Sequence, residues 1–172
     1  QPKSADVQTE FIKIVNQYRV SIGLSRVTFS EDARAASQIQ SDYLASTLTV
    51  NGGQANCTVG HTHPVYPTIM DRINKVNPIL PIAYYAEICA GNWYHSQTAV
   101  EVATQLFNQW KESPGHNGII VGPSFTKVGF HVSYKTATIK NSVIKLDPSS
   151  NKFYLTTEDS QVTSILGVAI FY

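Results

Sequence analysis

The order of the predicted elements indicates an α+β fold, in which helices pack on an antiparallel sheet. Amphipathic helical patterns come first along the chain and alternating strand patterns come last, with little β-α-β alternation between them. That order favours an antiparallel sheet over a parallel one. The chain has 172 residues, of which 42% are hydrophobic and 15% charged, so it is long enough to bury a core.

Charge and hydropathy argue against two classes of function. The net charge is only +1 and no long basic run is present, which argues against a nucleic-acid-binding surface. No apolar stretch reaches the length of a membrane span, so no transmembrane segment is predicted. The chain opens Gln-Pro-Lys-Ser, as a processed mature N-terminus would.

Helices are predicted from apolar residues that recur at helical spacing, together with capping residues at their ends. The first predicted helix covers residues 5–22 and ends at Gly23. The second is capped by Ser30, and the third covers residues 68–76. The fourth begins at the capping-box pattern Thr98-x-x-Glu101.

Strand patterns dominate the second half of the chain. They cover residues 84–89, 126–134, 138–146, 152–157 and 164–172. The polar segment 147–151 predicts a turn, and Gly91 predicts a break after the first of these strands. We expect residues 47–66 to form a long structured loop. We expect Pro114 to close the preceding helix and leave His116 on a tight turn.

Three polar side chains at element boundaries predict a metal or polar site: His61, Glu87 and His116. Two neutral imidazoles and one carboxylate can hold a divalent ion, zinc above all, with water as the fourth ligand. Such a water can be activated for hydrolysis. The same side chains can instead form a hydrogen-bonded network in a buried polar cavity. The residues alone leave both interpretations open.

The remaining histidines are expected to have other roles. His63 could supply an extra ligand, but we expect it to face solvent. His95 lies in a polar segment and is expected to be exposed, and His131 lies in a strand and is expected to be structural. No serine occupies a G-x-S-x-G elbow, which argues against a serine hydrolase.

The two cysteines, Cys57 and Cys89, flank the His61 and Glu87 region and do not form a C-x-x-C pair. We expect them to form a disulfide, worth roughly 3–4 kcal/mol on the chain-entropy model. A disulfide would favour an oxidising compartment. The alternative is a pair of buried free thiols.

Aromatic residues with polar tips surround these candidates in the sequence, namely Tyr66, Tyr84, Tyr85, Trp93 and Tyr94. Such residues suit a binding groove as well as ordinary core packing.

Five segments, in order, resemble motifs of the CAP superfamily of cysteine-rich secretory proteins, antigen 5 and pathogenesis-related proteins, and its bacterial secreted branch in particular. They are the helical stretch with NQYRVSIGL, then GHTHPVYPTIMDRI, AEICAG, WKESPGHNGII and FTKVGFHVSY. The likeness spans about residues 7–134.

The resemblance implies an α-β-α sandwich with a central antiparallel sheet and a cavity lined by two histidines and two acidic residues. Matched by motif, His61 and His116 take the histidine positions and Glu87 takes one acidic position. Ser113 stands at the other, as serine often does in the bacterial branch. Ala86 and Ile88 replace the family's glycine and asparagine beside Glu87, so the backbone there is expected to differ.

The expected protein is therefore a secreted or cell-surface binding protein. Residues 1–172 are expected to form one domain, with residues 135–172 as its β-rich C-terminal part. The cavity could hold a divalent metal, and the resemblance suggests a small apolar ligand such as a lipid, or a partner protein. A metal-dependent hydrolase that uses His61, Glu87 and His116 is a less favoured alternative, and a structural surface domain with a vestigial cavity is another.

Overall fold

The computed structural model describes residues 1–51, 53–94 and 97–172. Helices are α1 (Ser4–Ser21), α2 (Glu31–Ser46), α3 (Ile69–Val76), α4 (Ala99–Glu112) and α5 (Pro114–Ile120). Strands are β1 (Thr28–Phe29), β2 (Thr49–Asn51), β3 (Gln54–Asn56), β4 (Ala86–Tyr94), β5 (Lys127–Asp147) and β6 (Lys152–Phe171). Of the helices described, none is long and apolar enough to span a membrane.

The main sheet has the strand order β1-β5-β6-β4, so β6 lies in the centre and β4 at an edge. Both β4 and β5 pair with β6 in antiparallel fashion. The expected fold class is thus confirmed. The sheet is nevertheless mixed, because the two residues of β1 pair in parallel with Lys127 and Val128 and cover the start of β5.

Helices cover both faces of this sheet. On one face, α1 and α4 build an aromatic core in which the Phe11 and Phe130 rings stack at 4.5 Å and Trp110 meets Phe11 edge-on at 5.4 Å. On the other face, α2 lies so close to β5 that a Cβ at Gly129 would collide with the backbone of Ala33 and Arg34. This close approach explains the small residues on the inner side of α2.

The predicted helix ends are largely confirmed. The Ser30 side chain accepts a hydrogen bond from the Ala33 amide, and Thr98 and Glu101 form the predicted capping box. Gly23 has a φ of +81°, which suits a glycine at a helix end.

The helix before Pro114 ends as expected, with Glu112 as the last residue of α4, but the expected tight turn after it is wrong. Ser113 follows α4 and directly precedes α5, in which Pro114 takes the first position. Proline suits that position, because the amide it lacks would have no partner inside the helix. His116 therefore lies in the first turn of a short helix and not on a tight turn.

Two other local predictions need correction. Strand β4 continues through Gly91, where a Cβ would approach Val59 Cγ2 to 2.8 Å, so this glycine permits close packing and does not break the strand. The segment 47–66 contains the short hairpin of β2 and β3 in addition to loop.

Strands β5 and β6 are each continuous where the sequence predicts two strands. Their register runs from Val128 opposite Phe171 to Asp147 opposite Lys152, with the predicted turn between them. Beyond Tyr94, where β4 ends, they continue as a two-stranded ribbon. Both faces of the ribbon are largely exposed, so its sequence lacks the strict alternation by which a half-buried strand is recognised.

Arg19 anchors α5 to α1. Its buried guanidinium donates hydrogen bonds at 2.7–3.3 Å to the backbone carbonyls of Ser25, Ile120, Gly122 and Phe125. The bond to Ile120 satisfies a carbonyl at the end of α5 that lacks a helical partner. The helix that carries His116 is therefore held from its C-terminal side.

Candidate functional site

Glu87 is the buried centre of the candidate site. It lies on the edge strand β4, and both of its carboxylate oxygens are engaged. Oε1 accepts a hydrogen bond from His61 Nδ1 at 3.0 Å, and Oε2 accepts one from an Arg72 guanidinium nitrogen, Nη2, at 2.5 Å. The side chains of Arg72 and Glu87 are both 0% exposed, so this ion pair is shielded from water.

Arg72 is a residue of the candidate site that the sequence interpretation missed. Its Nη1 also donates to the carbonyls of His61, at 3.1 Å, and Tyr66, at 3.3 Å, so one guanidinium orients both Glu87 and the loop that carries His61. A signal was present, because Arg72 neighbours Ile73 on the buried side of α3. An arginine on the inner face of a short helix requires a buried partner.

His61 is the most accessible member of the site, with 54% of its side chain exposed. A carboxylate oxygen accepts the hydrogen bond at Nδ1, so Nδ1 carries the proton and Nε2 remains for an external partner. The buried Gln40 also fixes the loop that carries His61, because its Nε2 donates hydrogen bonds to the backbone carbonyls of Gly60 and Thr62.

His116 reaches the same region from α5. Its Nδ1 is 2.9 Å from the Ser113 hydroxyl, which fixes the orientation of the ring. Burial lowers the pKa of His116, and the charge of the nearby His61 lowers it further. Ser113 thus supports an imidazole here, instead of supplying a second carboxylate.

The expected disulfide is not formed, and Cys57 and Cys89 are both free thiols. The Cys89 side chain faces the site, with Sγ 3.6 Å from His61 Nδ1, while Cys57 packs against the edge of the apolar cluster that contains Cys89. Burial and the negative charge of Glu87 raise the pKa of Cys89 well above its usual range. The Cys89 thiol is therefore protonated at neutral pH and is a poor nucleophile.

His63 and His131 have structural roles, and His95 lies outside the described residues. His63 Nδ1 accepts the backbone amides of Val65 and Tyr66, both at 3.1 Å, and its ring stacks on Tyr66. His63 is half-buried, so the expectation that it faces solvent is met only in part. His131 is structural as expected, since its Nδ1 bonds the Ser41 hydroxyl at 2.9 Å.

In the part of the chain that the structure describes, His61, Glu87 and Cys89 are the residues whose potential metal ligand atoms lie within 4.8 Å of one another. His116 does not join that set. The Arg72 cation already compensates the charge of Glu87, and Cys89 would have to lose its proton to bind a metal. The arrangement is best suited to presenting imidazole nitrogens in a fixed orientation.

The family model described as the cysteine-rich secretory protein family, CAP, matches residues 12–146. No curated protein sequence matches the chain. Among solved structures, the chain is similar to an outer surface protein from Borrelia burgdorferi, with 15% identity, a TM-score of 0.56, and coverage of 93% of this chain and 86% of that one.

A second similar structure is an extracellular protein containing an SCP domain from Bacillus anthracis, with 15% identity and a TM-score of 0.59. The alignment covers 94% of this chain but only 40% of the Bacillus protein. At this level of identity, both similarities establish the fold alone.

Proposed function

The chain belongs to the cysteine-rich secretory protein (CAP) family, and from that premise we propose that it is a secreted or cell-surface binding protein and not a hydrolase. The fold that it shares with an extracellular and an outer surface protein supports this location. We also propose that residues 1–172 act as one domain. The central position of β6, which comes from the C-terminal part, supports this.

The observation that carries the proposal is the Arg72–Glu87–His61 chain of hydrogen bonds, which runs from the buried Arg72–Glu87 pair to the exposed His61. A general base must come within hydrogen-bond reach of the proton that it abstracts, and the side chain of Glu87 is 0% exposed. The Glu87 carboxylate is bonded on both oxygens and compensated by a buried cation, so it suits the role of an orienting group. His61 and His116 would then contact the ligand or partner protein directly, with Glu87, Arg72 and Ser113 as positioning residues.

A divalent metal is a second candidate, favoured by one specific feature. Histidines that bind metals usually donate their other ring N–H to a carboxylate or carbonyl, as His61 does to Glu87. Imidazole is a suitable ligand type for such an ion, whereas the charge-compensated Glu87 and the protonated Cys89 are not. His61 and His116 would hold it, and a bound ion would supply Lewis acidity to the site.

Calorimetric titration of zinc into chelator-treated protein at pH 7.5 tests the proposal. We expect at most weak binding, lost in the His61→Ala/His116→Ala double variant and retained in Glu87→Gln. Glu112→Gln, which alters an exposed carboxylate on α4, is the matched control. Tight zinc binding that Glu87→Gln abolishes and Glu112→Gln preserves would support the hydrolase alternative, provided that the zinc-loaded protein also cleaves ester or peptide substrates.

A further inference from the structure

A groove separate from the Glu87 site lies on the same face of the sheet as Glu87, at the opposite end of β4. The β2–β3 hairpin, the end of β4 and the base of the β5–β6 ribbon enclose it, and its volume is about 460 Å³. That volume lies in the usual range for small-molecule sites. Trp93 lines this groove and lies roughly 20 Å along the strand from Glu87, so the two sites are distinct.

Trp93 is an unusually accessible tryptophan in this groove. It is 40% exposed, whereas Trp110 is 0% exposed in the core. Trp93 also lines a smaller cavity of about 180 Å³ bounded by Val59 and Gly91. Within the described ranges, no other aromatic ring packs against it.

Two free amide side chains belong to the same groove. Gln54 and Asn56 lie on one side of β3, roughly 7 Å apart along the strand. Neither side chain forms a hydrogen bond with the rest of the described chain, in contrast to Asn92, whose amide bonds the Trp93 backbone and Gln109. Each free amide offers both a donor and an acceptor, which matches the two roles of a hydroxyl group.

Among the residues that the structure describes, those that line the groove carry no charged side chain. Ala55, Ile139 and Val162 supply its apolar surface, and no lysine, arginine, aspartate or glutamate faces it. A phosphate, a fatty-acid carboxylate or a metal ion would therefore find no partner of opposite charge here. The lining suits a neutral ligand with both apolar faces and many hydroxyl groups.

We propose that this groove binds a neutral pyranose unit of an oligosaccharide. The C–H face of the sugar ring stacks on the Trp93 indole, and its hydroxyls exchange hydrogen bonds with the Gln54 and Asn56 amides. Both types of contact are available on the lining at once, whereas a wholly apolar ligand would use only the apolar one. The inference does not depend on the function proposed for the His61 site.

Calorimetric titration with chitotriose, cellotriose and maltotriose tests this site. We expect saturable binding of at least one of them, a loss of at least tenfold in affinity in Trp93→Ala, and a smaller loss in Gln54→Ala. Acrylamide quenching gives a second readout, since Trp93 is the exposed indole and the bound sugar should protect it. Tyr84→Ala, which removes an exposed aromatic ring elsewhere, is the matched control and should bind normally.

Several outcomes would overturn the proposal: no binding of any of the three sugars at millimolar concentration, equal binding by wild type and Trp93→Ala, or binding of a neutral sterol in place of the sugars. Sugar binding that persists in the His61→Ala/His116→Ala variant would support it and separate it from the function of the first site.

Discussion

At the scale of single residues, the buried Arg72–Glu87 pair dominates the energetics of the candidate site. Both side chains are fully shielded, and Arg72 additionally bonds two backbone carbonyls of the loop that carries His61. A pair of this kind contributes modestly to net stability, because both charges lose their hydration when they are buried. Breaking the pair leaves one uncompensated charge in the interior, which is far more costly.

We therefore expect Arg72→Met to lower the free energy of unfolding by about 3–5 kcal/mol, because it strands the Glu87 carboxylate. Urea unfolding followed by circular dichroism measures this loss. The double variant Arg72→Met/Glu87→Leu should recover much of it, since no buried charge then remains. A single variant that unfolds like wild type, or a double variant no more stable than the single one, would contradict this account.

At the scale of secondary-structure elements, α4 illustrates how local sequence places a functional residue. The Thr98 hydroxyl accepts the Glu101 amide, and the Glu101 carboxylate accepts the Thr98 amide at 2.7 Å. This box sets the start of α4, and the Ser113–Pro114 junction sets its end and begins α5, which carries His116. The position of His116 along the chain thus follows from signals at both ends of α4.

Thr98→Ala should destabilise the protein by about 1 kcal/mol, the usual value of a lost N-terminal cap. Chemical unfolding provides the measurement. Thr157→Ala, at an exposed position of the ribbon, is the matched control and should stay within about 0.5 kcal/mol of wild type. Equal effects of the two changes would show that the capping box does not stabilise α4.

The β5–β6 ribbon is an element with an exposed apolar face near its turn. Ile144, Leu146, Phe153 and Leu155 form directly opposed pairs on one face, and Phe153 is 75% exposed. These side chains do not contribute to the core, so their removal should alter surface properties much more than stability.

Phe153→Ser should change the free energy of unfolding by at most about 0.5 kcal/mol and should shorten retention on a hydrophobic-interaction column. Phe130→Ser removes the same side chain from the core face of β5, where Phe130 is fully buried, and should cost about 3–5 kcal/mol or more. A large loss of stability in Phe153→Ser would contradict this account, because it would mean that the Phe153 side chain is packed and not exposed.

At the scale of the whole molecule, partly buried histidines make stability depend on pH. Burial is the main cause that lowers the pKa of His63, His116 and His131 below the usual 6.5. As the pH falls below about 6.5, the unfolded chain takes up protons at these residues before the folded chain does. Acidification in this range therefore favours the unfolded state.

The urea midpoint should accordingly fall as the pH is lowered from 7.5 to 5. Hydrogen bonds from Thr68 and Thr98 lower the pKa values of Asp71 and Glu101, so these carboxylates should contribute to the loss only at lower pH. His131→Gln should flatten the profile, because it removes one of the titrating groups. A midpoint that rises on acidification, or a slope unchanged in the variant, would contradict this assignment.

Local signals in the sequence were sufficient for much of the fold. The helices α1 to α4, the terminating Gly23, the Ser30 cap and the Thr98–Glu101 box follow from short-range periodicity and hydrogen bonding, which depend on residues only a few positions apart. The prediction that β5 and β6 are each divided into shorter strands was wrong because the local sequence signal is weak there. Where the ribbon leaves the sheet, no buried face imposes alternation, so continuous pairing leaves little trace in the pattern.

By itself, the sequence determined the α+β class, the helix caps and the family motifs that identify His61, Glu87, Ser113 and His116 as candidates. Only the tertiary structure revealed that Arg72 neutralises Glu87, that Cys57 and Cys89 are not bonded, and that Trp93 borders a groove with two free amides. The physical reason is separation along the chain. Caps and periodicity act within a few residues, whereas charge pairing, burial and grooves depend on which distant segments the sheet brings together.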